Sequence, residues 1–156
     1  DRLALIQALK DGKIDVVATD HAPHTWEEKC APYTKCPSGA PMVQHSLQVM
    51  IELSKRGYFG IEDVVKWMCH NPARLYKIDR RGFIRKGYFA DFVLVDLDAK
   101  YKVTKDNIMY KCKWSPLEGY TLNSKIVSTF VNGKLAFDNG KIIEGNKSAM
   151  KLKFNR

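Results

Sequence analysis

The chain has 156 residues, 26 Lys and Arg against 17 Asp and Glu, a formal net charge of +9 and 45% hydrophobic residues. That suffices for one buried core but falls short of the roughly 250 residues of a complete eight-stranded α/β barrel, and no run of about 18 apolar residues or leader pattern suggests a membrane segment. A basic balance raises a nucleic-acid or membrane partner, but lysines such as Lys100, Lys102, Lys105, Lys111 and Lys113 are scattered singly among carboxylates without an aromatic platform motif, which predicts a solvated surface and neither partner.

Leu3, Leu5, Ile6 and Leu9 predict a helix stopped at Gly12. Residues 14–19 follow as an apolar run with Ile14, Val16, Val17 and Ala18, which predicts a strand buried on both faces. The chain then turns polar at Asp20, His21 and His24, and Pro23 bars a central strand from continuing. Chemistry-bearing side chains thus sit at the C-terminal end of a strand, where a parallel α/β barrel builds its active site. A carboxylate there can ligate a divalent metal and act as general base. The alternative is that Asp20 caps a turn and the histidines are ordinary loop residues.

Residues 25–44, with Pro32, Pro37, Gly39 and Pro41, predict a long loop of the kind that forms an active-site wall. Leu47, Met50, Ile51 and Leu53 predict an outer helix ending at Gly57, and Ile61, Val64, Val65 and Met68 the inner face of a second, with Glu62 and Asp63 in its first turn. Asn71 and Pro72 read as the cap and first residue of a third short helix, and His70 as structural. The four cysteines, Cys30, Cys36, Cys69 and Cys112, lack structural-zinc spacing and are expected to be reduced in a cytoplasmic protein. From Arg81 the period changes. Gly82 and Gly87 mark turns before a buried strand over 92–95, whose flanking Asp91 and Asp96 read as solubilising ends. A short strand is expected over 101–103, then a hairpin of 126–131 and 135–137 on Asn132-Gly133, a second turn at Asn139-Gly140, and a solvated tail over 147–156.

The string TDHAPH over 19–24 closely resembles the last barrel-strand motif of dihydroorotases, in the amidohydrolase superfamily of metal-dependent hydrolases. The resemblance implies that Asp20 binds metal and acts as general base and acid, and that His24 holds the substrate's carboxylate. Residues 38–50 resemble the family's Ala-Pro-Gly segment, which implies a backbone contact to substrate at Pro41. This chain departs from it with Met42 for the usual Gly, and with Gln44 and His45 for the acid and threonine; His45 reads as a residue near the next helix's N-terminus. NPAR at 71–74, Gly87 and Ala90-Asp91 resemble the family's exit from barrel to small β-domain, and SPLEGYTL at 115–122 is similar to the family's Pro-Phe-Glu-Gly stretch.

The implied fold is α/β, the C-terminal part of a (β/α)8 metal-dependent hydrolase barrel over 1–80 followed by strands of a small β-sandwich over 81–146. The implied activity is zinc-dependent, reversible hydrolysis of the cyclic amide of dihydroorotate to N-carbamoyl-aspartate in pyrimidine synthesis, on one or two zinc ions. The other ligands are expected upstream in a missing N-terminal segment, so the chain alone is not expected to work as an enzyme, and that segment or a second copy in a homodimer would cover the open barrel face. The weighed alternatives are a hydantoinase- or allantoinase-like amidohydrolase and a non-catalytic scaffold.

Overall fold

Helix α1 (Arg2–Lys10) buries Ile6 and Leu9 but leaves Leu3 and Leu5 exposed, so its apolar stripe is narrower than the four leucine and isoleucine positions predict. It closes in a Schellman motif, with Gly12 in the left-handed region, Gly12 N–H on Leu9 O and Lys13 N–H on Ala8 O. The computed structural model describes residues 1–145 and 147–155 of the chain.

Residues 14–19 form no strand ladder, and none of 15–20 is buried, which corrects the expectation of a strand covered on both faces. A parallel strand needs parallel neighbours, and among the described residues the only parallel pairing nearby is the single bridge of His21 with Ala40. The run is held instead from the side. Helix α4 (Ile61–Val65) passes into a π-helical turn, Lys66–His70, before α5 (Asn71–Leu75). In the π turn Asn71 N–H bonds Lys66 O, which frees Trp67 O to accept from Val17 N–H at 3.2 Å. The Asn71 side chain, expected as a cap, donates to Asp15 O at 2.7 Å.

The first core joins Ile6 and Leu9 to Met50 of α3 (Ser46–Lys55), Phe59, Val64 and Trp67. Trp67 takes the inward place expected of Val65, Met68 packs against this core as expected, and Ile61 and Val65 stay partly exposed. The long loop contains a helical turn, α2 (Trp26–Lys29), opened by a capping box in which Glu28 N–H bonds Thr25 Oγ1 and Thr25 N–H bonds Glu28 Oε2.

The C-terminal half carries a four-stranded antiparallel sheet in the order β1 (Phe92–Asp96), β4 (Lys125–Val131), β5 (Lys134–Asp138), β6 (Lys141–Ile142), and a separate two-stranded ribbon of β2 (Tyr101–Lys102) and β3 (Thr121–Leu122). Both hairpin turns form where expected, with Asn132-Gly133 and Asn139-Gly140 all at positive φ. Strand β1 is not buried, since Val93 and Leu94 are exposed. Asp91 and Asp96 do more than solubilise, Asp91 accepting from Asn132 N–H and Asp96 from the amides of Asp98 and Ala99. A second core, Val103, Ile108, Tyr110 and Leu122, lies under the ribbon. The tail is not simply solvated: Ile78 pairs with Phe154, and Asp79 and Asn155 exchange backbone bonds with Lys153 and Lys77. Asn146, the expected end of the sandwich portion, and Arg156, the last tail residue, lie outside the described residues.

Candidate active site

The loop leaving residue 19 is clamped from three sides. Gly39, at φ +87°, comes so close to it that an added Cβ would lie 2.6 Å from the Cβ of Ala22. Ala22 N–H donates to Ala40 O at 3.2 Å, and His21 Nδ1 accepts from the amides of Met42 and Val43 at 3.1 and 3.4 Å. With Nδ1 an acceptor, the remaining ring donor of His21 is Nε2. Beyond it, the Trp114 indole N–H donates to His24 O at 2.7 Å, joining positions 90 residues apart.

Immediately before these anchors Asp20 is exposed, adopts φ 43°, and among the described residues its carboxylate has neither a hydrogen-bond nor an ion-pair partner. It therefore caps no turn. It also does not end a paired strand, and it lines neither of two cavities of about 620 and 290 Å³. The larger cavity has Thr25, Trp26, Lys111 and Trp114 in its wall but not His24. His24 is 38% exposed and its Nδ1 stands 3.6 Å from Glu28 Oε2, leaving Nε2 without a partner among the described residues.

Pro41 is fully buried between Ala40 and Met42. The Met42 amide that follows it is committed to His21 and is not free for a ligand. Gln44 and His45, two of the three departures from the family pattern, tie the loop to the second core. Gln44 donates to Asn107 O at 2.7 Å and accepts from Met109 N–H at 2.8 Å, and its own amide donates to the Tyr110 hydroxyl at 2.9 Å. His45 occupies the N-cap position of α3 but makes no capping bond. It is fully buried, with Nδ1 3.4 Å from Tyr110 Oη and 3.5 Å from Ser115 Oγ, and Nε2 unpartnered among the described residues. Burial holds its pKa below the ordinary histidine value and pushes the Tyr110 hydroxyl up, although bonds from Gln44 and His45 pull the latter back.

Asp20, His21, His24 and the segment around Pro41 are thus gathered on one pair of loops. Sequence reading missed the anchors. The Thr25-to-Glu28 spacing is a capping-box signature that was readable, whereas nothing local marks Trp114 or Tyr110 as partners of this loop. Among the described residues no three His, Cys, Asp or Glu side chains come together as a metal-binding group, and no helix is long and apolar enough to cross a membrane.

Residues 1–136 match the Amidohydrolase family. The chain is 40% identical over 139 residues to a dihydroorotase of Clostridium acetobutylicum, covering 88% of this chain and 32% of that protein. It is 43% identical over 119 residues to a dihydroorotase of Halobacterium salinarum, covering 76% and 28%. In three dimensions it is similar to the D-hydantoinase (dihydropyrimidinase) from Thermus sp., with a TM-score of 0.83 and 26% identity over 90% of this chain and 32% of that one. The chain therefore spans under a third of the length of these relatives.

Proposed function

The chain belongs to the amidohydrolase family, and on that premise we propose that it is the C-terminal part of a zinc-dependent dihydroorotase acting in cytoplasmic pyrimidine synthesis. Its reaction is the reversible hydrolysis of the dihydroorotate ring amide to N-carbamoyl-L-aspartate. The observation that supports this reading is the Asp20 carboxylate, exposed and unengaged on a left-handed residue, with Val17 held three residues upstream by Trp67 O and His21 and His24 held downstream. Such a backbone is uncommon outside glycine and persists where the surroundings fix it.

In this role Asp20 Oδ takes the proton of the attacking water and returns it to the ring nitrogen as the carbon–nitrogen bond breaks. His24 Nε2 donates to the substrate's carboxylate, a charge-assisted bond that an uncharged cyclic amide cannot make. The residues of this chain alone do not complete a zinc site, because a catalytic zinc takes about three protein ligands and no such group occurs among the described residues. Asp20 would supply one ligand to a site of one or two zinc ions whose other ligands would come from an upstream segment, and the chemistry supplied there would be Lewis-acid polarisation. Residues 1–80 then belong to the barrel and 81–146 to a small β-sandwich, with the exposed Val93 and Leu94 covered by that upstream segment or by a second copy in a homodimer.

A hydantoinase-like activity is the second reading, favoured by the structural likeness to the Thermus D-hydantoinase. The test is to assay the intact protein in both directions with dihydroorotate and with hydantoin. Dihydroorotate should be preferred, and Asp20→Asn should keep the unfolding free energy while turnover drops by roughly 10²–10⁴. Near-normal turnover in that variant would remove Asp20 from the chemistry, and a preference for hydantoin would select the second reading.

A further inference from the structure

The scattered lysines conceal one concentrated patch. Between 74 and 86 lie Arg74, Lys77, Arg80, Arg81, Arg85 and Lys86, against the single acid Asp79. Gly82, at φ +77°, presses this segment onto the helices: an added Cβ would lie 2.5 Å from Ala73 Cβ and 2.7 Å from Cys69 O. The patch is therefore set on the π turn and α5 rather than carried by a loose loop.

Its acids are already used. Arg80 pairs with Asp79 at 3.1 Å, and Arg81 pairs with Asp91 and bonds Asn132 Oδ1 at 2.7 Å. Arg74 and Arg85 have neither a carboxylate nor an acceptor among the described residues, yet both are ordered against one ring, their guanidinium carbons 5.2 and 4.5 Å from the Phe83 centroid. The His70 ring stacks on Phe83 at 4.3 Å and 5°. Burial first, then the fields of Arg74 and Arg85, hold the His70 pKa below its ordinary value, as expected where positive charge is left uncompensated. A guanidinium resting on an aromatic ring retains its edge N–H donors and has already given up much of its rotamer freedom.

We propose that Arg74 and Arg85, with the neighbouring Ile84, form a docking surface for an acidic segment of a partner protein. The guanidinium forks match carboxylates bidentately. Three apolar side chains among the cations, Ile84 at 95% exposure, Tyr76 at 60% and Leu75 at 55%, supply the anchors of a protein interface. A nucleic acid fits less well, because single strands bind by stacking on open aromatic faces and Phe83 already carries an imidazole and two guanidiniums.

The test is fluorescence anisotropy on the intact protein with a labelled peptide of glutamates and interspersed leucines, a lysine-substituted control peptide, and a single-stranded oligonucleotide. The acidic peptide should bind saturably and lose affinity with salt. Arg74→Gln with Arg85→Gln should weaken it roughly tenfold or more, Ile84→Ser should weaken it as well, and Lys105→Gln with Lys111→Gln should not. The His70 titration followed by NMR should move up in the arginine variant, which reports a folded patch that has lost its field. Absence of saturable binding, equal losses in the arginine and lysine variants, or tighter binding of the oligonucleotide at the same arginines would each overturn the proposal.

Discussion

Gly39→Ala tests how the candidate site is seated, because two separable costs meet at that position. The φ of +87° puts an L-residue in the left-handed region, at about 1–2 kcal/mol. The new methyl would also lie 2.6 Å from Ala22 Cβ, where carbon atoms prefer about 3.5–4.0 Å, and overpacking of this kind costs about 1–3 kcal/mol. The sum is about 2–5 kcal/mol of unfolding free energy, read from urea denaturation. Ala22→Gly in the Gly39→Ala background removes the overlap but not the φ strain. A double-mutant cycle should therefore show about 1–3 kcal/mol of favourable coupling. Because Ala22 lies between Asp20 and His24, kcat/KM for ring opening should fall in the single variant and recover in the double. Coupling below about 0.5 kcal/mol, the level at which independent sites add, would refute the close-approach argument.

His24→Ala should raise KM for dihydroorotate roughly ten- to a hundredfold, the loss of one bond to a charged group, with bound zinc unchanged by metal analysis; lost zinc would make His24 a ligand instead. His45 is held neutral by burial, its pKa below the ordinary 6.5, so stability is complete above that value and lost as the pH falls toward the folded pKa. Unfolding free energy should drop between pH 7 and 5, and less so in His45→Gln; a rise on acidification would contradict the assignment. His70 is also held low and shares this slope, which His70→Gln isolates, whereas Glu52, held below its ordinary 4.5, acts only at lower pH.

Sequence pattern was most informative where the determinant is local. Gly12 and Gly57 close α1 and α3 because left-handed residues end helices cheaply, and Asn132-Gly133 turns β4 into β5 because a type I′ turn needs two positive φ values. The pattern erred where a helix changed pitch. Ile61, Val64, Val65 and Met68 follow a 3.6-residue period, but the π turn over Lys66–His70 shifts that register and turns Trp67 inward. The run at 14–19 erred for a different reason, since composition can mark a segment as strand-forming but cannot supply the neighbours that make it one. Among the described residues only Val17 of 15–19 donates its amide to another backbone carbonyl.

The candidate site divides along the same line. TDHAPH names the groups to which the proposed chemistry is assigned, and they lie together because six consecutive residues constrain one another whatever the rest of the chain does. What fixes those groups comes from elsewhere: Trp114 reaches His24 across 90 residues, Tyr110 reaches Gln44 across 66, and Asn71 reaches Asp15 across 56. Each bond joins an unremarkable donor to a backbone atom or hydroxyl, and neither end carries a signature of its partner. Gln44 and His45 show the consequence. The sequence marks them as departures from a family pattern and places His45 near the start of a helix, but it does not give their partners, and their bonds run to Asn107, Met109 and Tyr110. Both substitutions therefore act on how the loop is held against the second core, and a chemical change at that loop would reach Asp20 through His21 and Ala40 rather than through the substrate.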